Sequence, residues 1–286
     1  MDKPRARTSS RLAETDKLLH EFEIRNIPDQ YREYYGVKRN NFFASVQGFP
    51  RLWQCHLRLD AIWMREFEDL GATAEPSALL PMLLYVNANA KIRIAIELAF
   101  SQCMAEARAI LRDAVEFVAH AHAMLRDPGL QLTWLGKHDG KPQSEAFKDV
   151  FERNKAKGLF KDLGELHRTW AALSETGPHA NMTAMGDRVV QESSGGHIEF
   201  RLNFTGVTDP KLAVLGLFSM LLTCSTMEQT FFGDYRARLA LDAGLVRMRA
   251  DFDRFKEKLR ESLVSRFDIR PPGGVFPPPK PSIFTP

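Results

Sequence analysis

Arg112, Glu116, Ser174 and His179 are residues of types that could do acid–base or phosphate chemistry. A histidine titrates near neutral pH and serves as a general acid or base. An arginine grips a carboxylate at two points or stabilises charge building on a phosphate. A serine can position a phosphate, and Glu116 could orient either Arg112 or His179. A nucleotide or phosphodiester is the substrate that such a set would take. The same residues also make a coherent lock without chemistry. Arg112 and Glu116 stand four apart, the spacing of a helix ion pair. Ser174 can bond a helix end, and His179, in "LSETGPH", can tie the following loop to the bundle. The lock is the favoured expectation, with His179 closing a helix end.

Other chemistry has less to stand on. His120 and His122 lie near Glu116, but two residues of helix turn their rings apart. Neither HExxH nor a Glu-x-x-His step occurs, so no metal is expected. The phosphate loops GxGxxG and GxxxxGK[ST] and the nucleophile elbow GxSxG are absent, and no cofactor is expected. Cys55, Cys103 and Cys224 are far apart with no CxxC pair. They read as reduced thiols in a cytoplasmic core, not as a disulfide or zinc framework.

The elements that must position these residues are mostly helical. Leu12, Leu18, Leu19 and Phe22 mark a first helix ending near Arg25, followed by an irregular aromatic connector up to Pro50. A second helix carries Leu52, Trp53, His56, Ile62, Trp63 and Phe67 at three-to-four spacing and stops at Gly71. From Glu75 to Arg126 there is no glycine, and proline occurs only near the start (Pro76 and Pro81), which predicts long helices with a break near Ser101–Cys103. Within this stretch Arg108, Arg112, Glu116 and His120 form a polar stripe, interleaved with Ala109, Ala119 and Ala123. Small neighbours admit a second helix, and charges covered by one must be paired. "DPG" at 127–129 ends the run, "LQLTWLGKHDGKPQS" reads as a loop, Ser144 as a cap, and 159–174 as a further helix.

Beyond it, Ile198, Phe200, Leu202 and Phe204 alternate with polar residues, and a hairpin with a glycine turn at "ESSGG" is expected over about 187–205. The run "LAVLGLFSMLLTCSTM" at 212–227 is 16 residues long, short of the roughly 20 that a membrane span needs, and reads as a buried helix. Leu245, Met248, Phe252, Phe255 and Leu259 then make a heptad-like seam. That seam packs on its own bundle or pairs two copies of the chain. "RPPGGVFPPPKPSIFTP" suits neither helix nor sheet and reads as a disordered tail.

Two stretches, "ELAFSQCMAEARAILRDAVEFVAHAHAML" and "ELHRTWAALSETGPHANM", followed by the hairpin and a long apolar helix, resemble a family of uncharacterised bacterial helical domains. There an arginine is followed four residues later by a glutamate, and a later helix ends in Leu-Ser with a histidine soon after. Arg112, Glu116, Ser174 and His179 match, and the resemblance covers roughly 80–230. That family is in turn distantly similar to HEPN (higher eukaryote and prokaryote nucleotide-binding) domains, which include toxin and defence ribonucleases. The resemblance implies a helical fold and RNA or nucleotide chemistry at the four matched residues. The R-x(4–6)-H spacing of those nucleases is missing beside His179, and its one formal match, Arg51 to His56, is of a kind that arises by chance.

A net charge of +3 on 286 residues, without strong clustering, gives no nucleic-acid footprint, and 44% apolar residues is ordinary for a soluble globular chain. The expected architecture is mainly α: a helical bundle over 76–268 with a small β-hairpin before the last long helices. An N-terminal helical extension (1–75) and a proline-rich tail (269–286) flank it. The expected function is a soluble cytoplasmic helical protein acting through partner binding or self-association, in a defence or toxin–antitoxin setting. Homo-oligomerisation through the C-terminal helix, or a protein or RNA partner, would serve it, with no membrane involved. A HEPN-like ribonuclease or nucleotide-binding enzyme, and a small-ligand sensor with an interhelical pocket, are the alternatives.

Overall fold

The computed structural model describes residues 28–70, 76–153, 155–176, 189–194, 197–202, 210–237, 239 and 242–267. Most of them are helical. The helices are α1 (Asp29–Gly48), α2 (Pro50–Leu70), α3 (Pro76–Phe100), α4 (Met104–Arg126), α5 (Leu130–Leu135), α6 (Lys141–Phe151), α7 (Gly164–Thr176), α8 (Pro210–Tyr235) and α9 (Ala243–Phe267). Strands β1 (Val189–Ser194) and β2 (His197–Leu202) pair antiparallel, Val189 opposite Leu202 and Ser194 opposite His197.

Two compact units divide at Asn40/Asn41, inside α1. The boundary expected at residue 75 is therefore misplaced. The cause is α2, whose Leu52, Cys55, Leu59, Ile62, Trp63 and Leu70 are buried in the same core as α3, α4 and α8. The irregular connector is also corrected, since residues 29–48 form α1. Asp29 occupies its first turn, where an anion meets unpaired amides. Ser45 is its one buried residue among those described, so no apolar stripe announced it. The expected loop after Pro128 holds α5 and a single 3-10 turn over Gly136–His138. α6 starts at Lys141, with Pro142 in its first turn, rather than at Ser144.

In the larger unit α3 and α4 form an antiparallel pair, and their junction falls at the expected break. Cys103 N–H donates to Leu98 O (2.8 Å) and Gln102 N–H to Ala99 O (3.0 Å). Gln102 takes the left-handed conformation, φ 62°, between them. This is a Schellman stop built on a residue with a Cβ, where glycine is the easier choice. α8 lies against this pair, and at Gly216 a Cβ would come 3.1 Å from Met104 Cε, so glycine lets the two helices close. Hydroxyls on α8 are satisfied within the helix, buried Thr223 donating to Ser219 O (3.1 Å) and half-buried Thr230 to Thr226 O (3.0 Å).

The apolar run at 212–227 is thus part of a longer helix. By length and composition Ser77–Phe100 and Lys211–Tyr235 could each cross a membrane, and 44% and 61% of their apolar windows are buried inside the protein. The seam of α9 is used within the chain: Leu245, Phe252, Leu259 and Leu263 are buried, and the helix packs along α2. Asp242 caps it, accepting from Leu245 N–H at 2.8 Å, while Arg65 of α2 reaches the same carboxylate at 2.9 Å. The amide of Leu245 first, and then Arg65, hold the Asp242 carboxyl below its usual range.

Candidate functional site

The polar stripe of α4 is covered by α7, as its interleaved alanines imply. Arg112 Nε donates to Ser174 Oγ (2.8 Å) and Nη2 to Glu116 Oε1 (3.3 Å), while Asp113 lies 3.6 Å from Nη1. The Ser174 hydroxyl in turn donates a hydrogen bond to the Trp170 carbonyl (2.8 Å), as a serine does one helical turn on. Glu116 Oε1 also accepts from Lys155 Nζ (2.7 Å) and from Trp170 Nε1 (2.8 Å). Both cations lie over the Trp170 ring, Lys155 at 4.4 Å and Arg112 at 5.2 Å from its centre.

This brings together three of the four residues singled out by sequence, and each is already engaged by protein partners. The side chains of Arg112 and Glu116 are only 22% and 24% exposed, so the set is a capped cluster rather than a cleft. Burial pushes the Glu116 carboxyl up. Lys155, by hydrogen bond and charge, together with Arg112 and Trp170, outweighs burial and leaves it below its ordinary value. His179 lies outside the described residues. Lys155 and Trp170 escaped the sequence reading. Trp170 stands four before Ser174, so one helical turn of α7 already put them on a shared face. Lys155, in the turns before α7, carried no such signal.

His120 closes the stripe without joining the network. Its ring sits among Phe151 (4.9 Å between centres), Phe147 (6.2 Å) and Trp134 (6.5 Å), and its buried Nδ1 has no partner. Burial drives its pKa down to about 4, against a small opposing pull from Glu116. It is a neutral packing ring at physiological pH.

Two further polar clusters join distant elements. His122, on the buried side of α4, meets Asp234 of α8 through Nδ1 at 2.8 Å, and Tyr85 of α3 donates to the same carboxylate at 2.5 Å. Burial and the Asp234 charge push the Tyr85 hydroxyl well above its ordinary range. On the other flank Arg249 of α9 donates to Glu66 of α2 (2.6 Å) and to Glu228 of α8, with its guanidinium 3.5 Å over Phe232. Glu66 and Glu228 are almost completely buried. Burial, then the neighbouring Glu228 charge, pushes Glu66 up to about 9, and burial raises Glu228 as well. Glu66 Oε2 has no hydrogen-bond partner, which favours the protonated, neutral carboxyl that burial already imposes. Sequence gave no sign of either cluster, because their members are scattered over three helices each. Among the described residues no group of three or more histidine, cysteine or acidic side chains could hold a metal ion.

In comparisons with known proteins, no family model, no curated protein and no solved structure matches the chain.

Proposed function

We propose that this is a non-catalytic helical protein that works by associating with other protein through the outer face of α2 and α3. One observation carries the reading. Leu57 and Met64 of α2, with Leu79, Leu83, Val86 and Ile94 of α3, are 40–52% exposed along two neighbouring helices. Apolar surface gathered in a stripe is the mark of an interaction site rather than of ordinary scatter. The Arg112–Glu116–Ser174 cluster supports the same reading from the other side, since its hydrogen-bonding atoms are spent on one another. A reducing, cytoplasmic setting is in keeping with three buried free thiols, and a place in a defence or toxin–antitoxin system rests on the family resemblance alone.

Purified protein incubated with total RNA is expected to leave it intact, and Arg112→Ala to change only thermal stability. RNA cleavage by the wild type that is lost in a folded Arg112→Ala variant would overturn the reading. A second reading, nucleotide binding, is favoured by one feature: Lys155 and Arg112 flank a single indole. It expects adenine nucleotides to raise the melting temperature of the wild type and not that of Lys155→Ala.

A further inference from the structure

α9 buries a single stripe, Leu245, Phe252, Leu259 and Leu263, and lies chiefly along α2. Beside that stripe Arg249 reaches inward, meeting Glu66 of α2 at 2.6 Å and Glu228 of α8. The two carboxyls are 0% and 2% exposed, and α9 supplies the cation that meets them both. We infer that α9 is a strap latched by a proton on Glu66: it lies docked while the proton is held, and comes away from α2 and α8, ahead of the rest of the bundle, as the proton is lost.

The count of charges sets the latch. Two acids face one guanidinium away from water, so full ionisation leaves one negative charge buried and unanswered. A single proton removes it, and Glu66 is the member with a partnerless oxygen. Burial is the largest influence on both carboxyls and outweighs the pull of Arg249, so water reaching them lets both ionise. Lifting α9 is the smallest opening that admits water there. α2 and α8 are bound to each other in the core, Trp63 stacked on Phe231 at 4.9 Å, whereas α9 is held along one stripe. The docked state therefore holds a proton that the open state releases. Each pH unit between 4.5 and about 9 shifts the balance toward opening by up to about ten-fold. Asp253, one turn beyond Arg249 on α9, adds to the negative side and is paired with Lys256 at 3.0 Å. Along α2 itself Arg65 bonds Asp69 and reaches Asp242, while α3 brings Arg93, bonded to Asp60, and Tyr85, bonded to Asp234.

Hydrogen exchange read by mass spectrometry tests this on the full chain, at pH 6 and pH 8 with correction for the intrinsic exchange rate. Amides of α9 are expected to be less protected than those of α4 at both values, which marks an opening separate from global unfolding. Their protection is expected to fall by up to about 100-fold from pH 6 to pH 8, the effect of one proton over two units. Glu66→Gln and Glu228→Gln each leave one carboxyl for one guanidinium. Each is expected to remove most of that fall, with helix content by circular dichroism as in the wild type. Protection of α9 as strong as that of α4, or the same at both pH values, overturns the inference. So does a fall that survives both substitutions. The apolar face of α2 and α3 takes no part in the latch, so neither result bears on the association reading.

Discussion

At Glu66 burial and like charge act in the same direction, and the result is a proton held inside the bundle at neutral pH. In the unfolded chain this carboxyl ionises near 4.5, whereas in the folded protein it does so at about 9. Between those values the folded state binds the extra proton, so stability is fully present below 4.5 and is lost as pH rises through 9. His120 acts oppositely. Its proton is bound near 6.5 unfolded and only near 4 folded, so stability falls as pH drops through that window. Above about 6.5 only the glutamate effect remains. Chemical denaturation from pH 6.5 to 9 is expected to show declining stability, by at most about 1.4 kcal/mol per pH unit for one proton. Glu66→Gln is expected to flatten that slope, and an unchanged slope would place the proton elsewhere. At the α4–α7 cluster, Ser174→Ala removes one hydrogen-bond partner of Arg112 and is expected to cost about 1 kcal/mol in denaturant unfolding. Glu116→Gln weakens three donors at once and is expected to cost more, about 1–3 kcal/mol.

Among the elements, the α3–α4 junction and α9 show how local rules and tertiary demands divide the work. Gln102 holds a left-handed backbone where glycine would be unstrained. Gln102→Gly is expected to gain up to about 1 kcal/mol, reduced by the greater freedom glycine has in the unfolded chain. A loss of stability in the same measurement would mean that the Gln102 contact with Ser45, at 3.5 Å, matters more than the backbone. α9 was legible as an amphipathic helix from its heptad spacing, but spacing alone did not say what covers the seam. α2 does, with Arg249 and Asp242 tying the two helices together. Leu259→Ala is therefore expected to cost about 2–5 kcal/mol of folding stability and to leave the oligomeric state, measured by light scattering, as in the wild type. Loss of self-association without loss of stability would return the seam to an intermolecular role.

For the whole molecule, three thiols spaced along the chain report on one core. Cys55 of α2 and Cys224 of α8 are fully enclosed, and Cys103 is buried at the α3–α4 junction. Burial pushes the Cys55 thiol up to about 11 and the Cys224 thiol higher still. Thiolate is the reactive form, so native protein is expected to react with Ellman's reagent slowly at pH 8. All three should then become reactive together as denaturant opens the core. Early reaction of Cys103 alone would show that the α3–α4 junction opens before the bundle does.

Sequence by itself determined the helical character of the chain, the break at Ser101–Cys103, the buried helix after Pro210 and the pairing of Arg112 with Glu116. Each rests on neighbours within a few residues, where helical periodicity, a turn signal or a four-residue step is a local property. It missed α1, which lacks an apolar stripe, and it set the domain boundary past α2, because no local signal marks which helix shares a core with which. Only tertiary structure decided that Ser174 and Lys155 converge on Arg112 and Glu116, that Asp234 joins His122 to Tyr85, and that Arg249 clamps two glutamates. Those contacts link residues up to 183 positions apart, and at that separation the path of the chain, not the spacing of its letters, sets which charges meet.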